Sequence, residues 1–344
     1  MKTSTLPQGP KGLANDPIVQ LRITDKATLA LADEKKTFSL GRDGACDLVL
    51  NLPAVSSVHC FVERRPSGLR IVDNRTKNGT FFRGAAVENF ELRAGEAFSV
   101  GGEHVVALTG PAVAAEAPLR RLLGAGSQAA IDRAMQLALA RHAIAILGKA
   151  GCGHVDVAAL LHEASARRTR RFVAIRSVDE LAAALNHDPD RINHGSLYVH
   201  LEAIGKLKST APALAAALAR IAGTANVVVY IGAREADEIV TSLGITIDET
   251  HTLAIPSLHE RGDEVLGLLE VMLGAEMAKL TPPQRKALVK YRWPGNLDEL
   301  RADAELLRAV LAHGGIRAAE RATGVPRSVI SRVTTKLHLG LREP

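Results

Sequence analysis

Aromatic residues are nearly missing from this chain: one Trp, three Tyr and seven Phe among 344 residues. Hydrophobic residues still make up 47%, so the cores rest on Ala, Leu, Val and Ile. Cysteine is equally scarce. Cys46, Cys60 and Cys152 lie far apart, which excludes metal-ligand spacing and a disulfide framework. A reduced, cytoplasmic protein is expected. No apolar run approaches the ~18 residues of a membrane span, so no membrane partner is expected. The opening MKTSTLPQGPKGLANDP lacks the apolar segment of a signal peptide. No repeat of solenoid period is present.

What is present suffices for two or three domains. The net charge is +6 and uneven: residues 313–344 carry six Lys/Arg against two acids. Such a patch fits a nucleic-acid contact, and equally a solvated helix face. Residues 1–16 are polar and read as a disordered tail. Over 17–110, short apolar runs such as TFSLG, DLVLN, HCFVERR, LRIVDN and HVVALTG recur between turn signals, the spacing of an all-β sandwich. Residues 111–118 (PAVAAEAP) read as a linker. Over 119–255 strands and helices alternate, with Ser127 as an N-cap and a helix over 211–222, which argues an α/β parallel sheet. From 256 the pattern is helical, with helices over 259–278, 281–290, 296–312, 315–322 and 326–337.

Gly148–Asp156 (GKAGCGHVD) stands between an apolar strand and a helix. A Gly-rich loop in that setting cradles phosphate with backbone N–H groups and a helix N-terminus. Gly148 and Gly153 meet the G-x-x-x-x-G spacing of the phosphate loop, but His154 and Val155 replace its Lys and Ser/Thr.

Three motifs fall in order within residues 41–84: Gly41–Arg42, Ser56–His59 (SSVH) and Thr76–Thr80 (TKNGT). Together they resemble the forkhead-associated (FHA) domain, a β-sandwich that binds phosphothreonine. A phosphothreonine carries roughly −1.5 to −2 charge and three acceptor oxygens, and needs a guanidinium and short donors on rigid loops. By this resemblance Arg42 and Ser56 bind the phosphate. Ser57, Lys77 and Asn78 contact phosphate or peptide backbone, and His59 and Gly79 brace the loops. Position 57 commonly carries a larger residue in that family, so Lys77 becomes the candidate second charge.

Residues 119–312 resemble the AAA+ domain of bacterial sigma-54-dependent activators. The landmarks, in order, are GKAGCGHVD, RRFVAIRS, HGSLYVHLEAI, NVVVYIGAR, IPSLHERGDEV and YRWPGNLDEL. Position by position the chemistry is gone. The phosphate-loop lysine falls on His154, and the metal-binding Asp-Glu pair on His200 and Leu201, with Glu202 one residue late. The lid arginine falls on His259, and the second sensor arginine on Asp298. The segment 240–254 contains no finger arginine, and no GAFTGA string occurs. Phosphoryl transfer is almost entirely positioning and charge stabilisation, so the expectation is no enzyme, no cofactor and no sigma-54 remodelling. Weak ATP or ADP binding through Gly151–Gly153 stays open. The histidines His154, His162, His194 and His200 have no metal spacing.

Gly315–Leu339 resembles the factor-for-inversion-stimulation type of helix-turn-helix. Gly324 permits the turn, Pro326 suits the next helix start, and Ala319, Val325, Ile330, Val333 and Leu337 form the buried stripe. Arg327, Ser328, Ser331, Arg332 and Lys336 lie off that stripe and are the candidate DNA contacts. The resemblances imply an all-β FHA sandwich, an α/β core over 119–255, a helical lid over 256–312 and an all-α helix-turn-helix over 313–344. The expected partners are a phosphothreonine protein (a Ser/Thr kinase or its substrate), DNA and further copies of the chain. The alternative is a phosphopeptide-binding adaptor that joins a kinase or an active AAA+ partner without touching DNA.

Overall fold

The computed structural model describes residues 16–23, 26–66, 68–124, 126, 128–139, 143–175, 177, 179–180, 195–204, 227–244 and 246–340. The expected tail up to residue 15, the cap at Ser127, the helix over 211–222, His194 and most of 178–194 lie outside them.

Two sheets form the N-terminal sandwich. The first has six strands in the order β2 (Ala27–Ala30), β1 (Ile18–Ile23), β11 (Glu103–Thr109), β10 (Ala97–Val100), β7 (Thr80–Phe82) and β8 (Ala85–Val87). The second has five: β4 (Leu48–Val49), β3 (Thr37–Gly41), β5 (Cys60–Arg65), β6 (Gly68–Asp73) and β9 (Asn89–Leu92). Pairing is antiparallel except between β3 and β4. Side chains alternate across each strand, so Phe38 and Leu40 from β3, Val62 from β5 and Leu69 and Ile71 from β6 meet Leu21, Phe98 and Val105 in one core.

Strand β11 is buried on both faces. Val105 and Ala107 enter the sandwich, while Val106 and Leu108 enter the core of the region that follows. That explains the unbroken apolar run in its sequence. The stretch expected as a linker is helical: α1 (Gly110–Ala114) and α2 (Glu116–Leu123) follow β11 directly. The physical reason is that Ala favours helix, and Pro111 and Pro118 both fall in a first turn, where a missing N–H costs nothing. Arg22 of β1 donates to Glu116 (2.7 Å) and to Asp132 (3.0 Å) on α3 (Gln128–Ala138), tying the sandwich to these helices. Asp16, expected in the tail, pairs with Arg168.

The second sheet system is parallel throughout, in the order β13 (Phe172–Ile175), β14 (Ser196–His200), β15 (Val228–Ala233), β12 (Ile144–Leu147) and β16 (Thr252–Ala254). Helices α4 (His154–Ala164), α5 (Leu201–Ile204) and α6 (Ala236–Leu243) follow β12, β14 and β15. β12, the strand that leads into Gly148, lies between β15 and β16.

The helical part begins with a 3-10 turn, Leu258–Arg261, then α7 (Glu264–Leu273), a second 3-10 stretch Gly274–Lys279, α8 (Pro282–Lys290), α9 (Asn296–His313), α10 (Ile316–Thr323) and α11 (Arg327–Lys336). The single helix expected over 259–278 is therefore broken. Gly262 and Gly274 both adopt positive φ, 55° and 57°, which ends each segment. Val333, Leu337 and Leu339 share a core with Trp293, Leu300 and Leu307, so the last helix packs on α9.

Candidate phosphopeptide site and the Gly148–Gly153 loop

The three FHA-like motifs converge at one end of the sandwich. A Cβ at Gly41 would stand 2.2 Å from the Ser57 carbonyl oxygen, so only glycine lets these loops meet. The Arg42 and Asp43 N–H groups then donate to the Ser56 and Ser57 carbonyls, both at 2.9 Å. His59 is fully buried beneath them. Its Nδ1 accepts from the Ser56 N–H (3.2 Å) and its Nε2–H donates to the Gly79 carbonyl (3.3 Å), so one ring joins the second and third motifs. Asp73 accepts from the Thr76 N–H and hydroxyl (both 2.8 Å) and from the Thr80 hydroxyl (2.7 Å). These bonds outweigh the burial that opposes them and hold its carboxyl below the ordinary range.

On this braced frame Arg42, Ser57, Lys77 and Asn78 are exposed and Ser56 is half-buried. Asn78 Nδ2 donates to the Ala54 carbonyl at 2.8 Å. Sequence reasoning passed over Arg75, an exposed second cation in the same loop that adopts φ 55°. A non-glycine residue at positive φ is the signal only coordinates reveal.

The Gly148–Gly153 loop is closed from two sides. From within, His154 is buried, and its Nε2–H donates to the Gly148 carbonyl at 3.1 Å. The ring turns back onto its own loop. It meets the His200 ring edge-on with centroids 4.9 Å apart, and Tyr198 lies 6.4 Å beyond. The Tyr198 hydroxyl occupies the space a Cβ at Gly232 would need, at 2.6 Å. From outside, the WPGN segment docks on the loop. Asn296 Nδ2 donates to the Ala150 carbonyl (2.8 Å) and the Asp298 N–H to the Gly151 carbonyl (3.3 Å). A Cβ at Gly151 would stand 2.2 Å from the Gly295 carbonyl oxygen. Leu297 comes 3.0 Å from the Cβ position of Gly153.

The remaining residues of that region are used locally. Lys149 points out and lies 3.7 Å from Glu260. Glu202 pairs with Arg234. Arg301 donates to Asp156 at 2.9 Å, next to the exposed Asp298. His259 is exposed, while the Arg261 side chain is only 4% accessible and donates to the Leu122 (3.1 Å) and Arg121 (2.6 Å) carbonyls. A cation on those carbonyls complements the C-terminal end of α2. His162 is not part of this region: its Nδ1 accepts from the Ser196 hydroxyl (2.9 Å) and its Nε2–H donates to the Arg170 carbonyl (3.1 Å). The run at 167–171 is likewise not a free basic patch, since Arg167 is buried and Arg168 holds Asp16.

Burial lowers the pKa of His59, His154, His162 and His200 below 6.5, the ordinary value. The sign follows directly. Below about pH 6.5 the unfolded chain takes up protons that the folded chain refuses, so stability falls with pH. The carboxylates Asp73 and Glu116 have lowered pKa values and act only in more acidic solution. The melting temperature is therefore expected to drop between pH 7 and pH 5; a flat profile in that window contradicts neutral burial of these rings.

At the C-terminus α10 and α11 meet at Gly324 (φ 72°), with Ala319, Ile330 and Leu337 buried. Arg327, Ser328 and Arg332 are exposed and Ser331 is half-buried. Lys336 departs from the expectation. It turns inward, with its Nζ 2.6 Å from Asp303 and 2.9 Å from Glu299. Burial works against its charge, but the two carboxylates outweigh burial and raise its pKa. Lys336 flanks the buried stripe, three residues after Val333 and one before Leu337, which places it over α9.

Residues 38–101 match the FHA domain family. The anaerobic nitric oxide reductase transcription regulator NorR of Salmonella heidelberg (strain SL476) is 37% identical over 75 residues, 20% of this chain. The match spans 14% of that relative's length. Among solved structures, NtrX from Brucella abortus in complex with ATP is similar at 18% identity and a TM-score of 0.41, over 64% of this chain and 71% of that one. Mycobacterium tuberculosis EmbR in complex with a low-affinity phosphopeptide is similar at 19% identity and a TM-score of 0.24, over 25% of this chain and 23% of that one.

Proposed function

We propose that this chain is a phosphothreonine-responsive, DNA-binding transcription regulator whose AAA+-like body is a non-catalytic scaffold. Its FHA domain docks on a phosphothreonine protein, a Ser/Thr kinase or its substrate. Arg42 and Ser56 hold the phosphate, with Ser57, Lys77 and Asn78 around it. The observation that carries the scaffold reading is the double closure of Gly148–Gly153. His154 fills the loop from within, and Gly295 and Asp298 cover it from outside. No lysine, metal carboxylate pair or sensor arginine remains in the matching positions. With no GAFTGA string, the body does not engage sigma-54. It works in the cytoplasm as a homo-oligomer, because a single helix-turn-helix binds DNA weakly.

Output goes through Arg327, Ser328, Ser331 and Arg332 on α11. Arg332→Ala is expected to weaken binding to duplex DNA about equally for all sequences. It should also reduce the slope of log affinity against log salt by about one. Lys336→Ala is expected to leave that slope unchanged and to lower thermal stability, because it uncovers Glu299 and Asp303. Anisotropy titrations over a salt series check both. A slope insensitive to Arg327→Ala and Arg332→Ala rejects DNA binding by this helix. The inward position of Lys336 favours one second reading: a phosphopeptide-binding adaptor that never touches DNA. Co-purification with a kinase or an AAA+ partner, without DNA, would support it.

A further inference from the structure

Residues 280–294 (LTPPQRKALVKYRWP) hold four cations, Arg285, Lys286, Lys290 and Arg292, and no acid. Together with the excess over residues 313–344 they exceed the chain's net +6, so the remainder of the chain is slightly acidic. Arg285 is used locally: its guanidinium donates to the Leu280 (3.2 Å) and Met277 (3.0 Å) carbonyls. The other three are exposed. Lys286 and Lys290 lie four residues apart on α8 and share one face, away from buried Leu288. Arg292 follows just past the helix. In the same body Lys149 sits on Glu260, Arg234 on Glu202, Lys279 on Glu276 and Arg301 on Asp156. Lys286, Lys290 and Arg292 have no such partner among the described residues.

Both ends of α8 are fastened to the end of α11. At its start Gln284 accepts from the Thr281 N–H (2.9 Å), capping the helix, and donates to the Leu339 carbonyl (2.6 Å) just past α11. At its other end the Lys336 ammonium stands 5.9 Å from the Tyr291 ring. The Tyr291 hydroxyl and Lys336 both donate to Glu299, each at 2.9 Å. Lys290 and Arg292 flank Tyr291 in the sequence, and Arg332 precedes Lys336 by one turn on the same side of α11. The unpaired cations of the two helices are thus held in a fixed relation by contacts that leave them free. We propose that Lys286, Lys290 and Arg292 are a second contact for the phosphate backbone of duplex DNA, outside the helix-turn-helix and alongside α11. Lysine is a point charge on a flexible stem, suited to phosphates, and phosphate contacts carry no sequence information. The contact therefore adds affinity for every sequence alike. A membrane surface is the poorer occupant. A helix lying in a membrane interface buries an apolar face, and α8 exposes no large hydrophobic side chain.

This inference rests on the DNA-binding reading of the chain, and the test separates the two. Full-length wild type, a Lys286→Gln/Lys290→Gln variant and Arg292→Gln are titrated onto fluorescent duplexes of two unrelated sequences over a salt series. Each lost phosphate contact reduces the slope of log affinity against log salt by about 0.9. The double variant should therefore lose roughly two from the slope, and Arg292→Gln about one. The double variant should bind both duplexes about tenfold more weakly, with the ratio between them unchanged. Lys286→Arg/Lys290→Arg should keep the wild-type slope. Because these side chains are exposed, melting of every variant should match wild type. A double-variant slope equal to that of wild type overturns the proposal and leaves DNA binding by α11 standing. If the slopes are equal and phosphatidylglycerol vesicles retain wild type but not the double variant, the stripe serves a membrane, which overturns the proposal as well. A slope that falls with the α8 variants but not with Arg327→Ala and Arg332→Ala keeps the α8 contact and removes α11. Absence of salt-dependent binding to either duplex by wild type removes the DNA reading and this inference together.

Discussion

Arg42→Ala is expected to weaken phosphothreonine-peptide binding by about a hundredfold or more. A guanidinium on a phosphate makes paired, charge-assisted hydrogen bonds. Bonds to charged groups contribute about 1.5–3 kcal/mol each, so losing two costs about 3 kcal/mol or more. The fold should not change, because the Arg42 side chain is exposed and its contribution to the loop is the backbone N–H to Ser56, which alanine keeps. Calorimetric titration of wild type and variant with one phosphopeptide and its unphosphorylated twin checks this. Equal affinity of the two proteins would remove Arg42 from the site. Ser56→Ala should have a smaller effect, since it removes one short neutral donor.

Gly151→Ala carries the largest expected loss of stability. The residue has φ 75°, which a non-glycine residue adopts at a cost of about 1–2 kcal/mol. The added Cβ would stand 2.2 Å from the Gly295 carbonyl oxygen, and backbone on both sides leaves no flexible side chain to yield. Overpacking of this kind adds about 1–3 kcal/mol. Together about 3 kcal/mol should be lost in chemical denaturation, as the Gly295 segment is pushed off the loop. Gly244→Ala is the matched control. It has φ 65° with nothing within 4 Å of its Cβ position, so it carries only the conformational part. If both variants lose the same stability, the Gly151 loop and the Gly295 segment are not in close contact.

The motifs that position Arg42, Ser56 and Lys77 were readable in the sequence because each is local. Gly41 permits a close approach, and short polar residues mark loops between alternating strands. The α/β order was equally readable, since strand and helix periods differ. What was not readable depends on distant partners. PAVAAEAP looks like a linker until β11 is seen to bury both faces and to run straight into α1. Lys336 looks like a DNA contact until Glu299 and Asp303, more than thirty residues earlier, lie beneath it. In the sequence His154 stands at the lysine position of the phosphate-loop spacing. That its ring closes on Gly148, and that Gly295 covers the same loop, are facts of tertiary packing. Arg261 shows the same limit: in sequence it is one arginine of a lid motif, in the fold it holds the end of α2.

The most direct test of the scaffold account is phosphate release from ATP by the full-length chain, with Mg²⁺, with and without a saturating phosphothreonine peptide. The account predicts release no faster than buffer in both conditions, because His154 turns onto the Gly148 carbonyl and Gly295 packs against Gly151. Turnover above buffer that falls when His154 or Glu202 is replaced would contradict it.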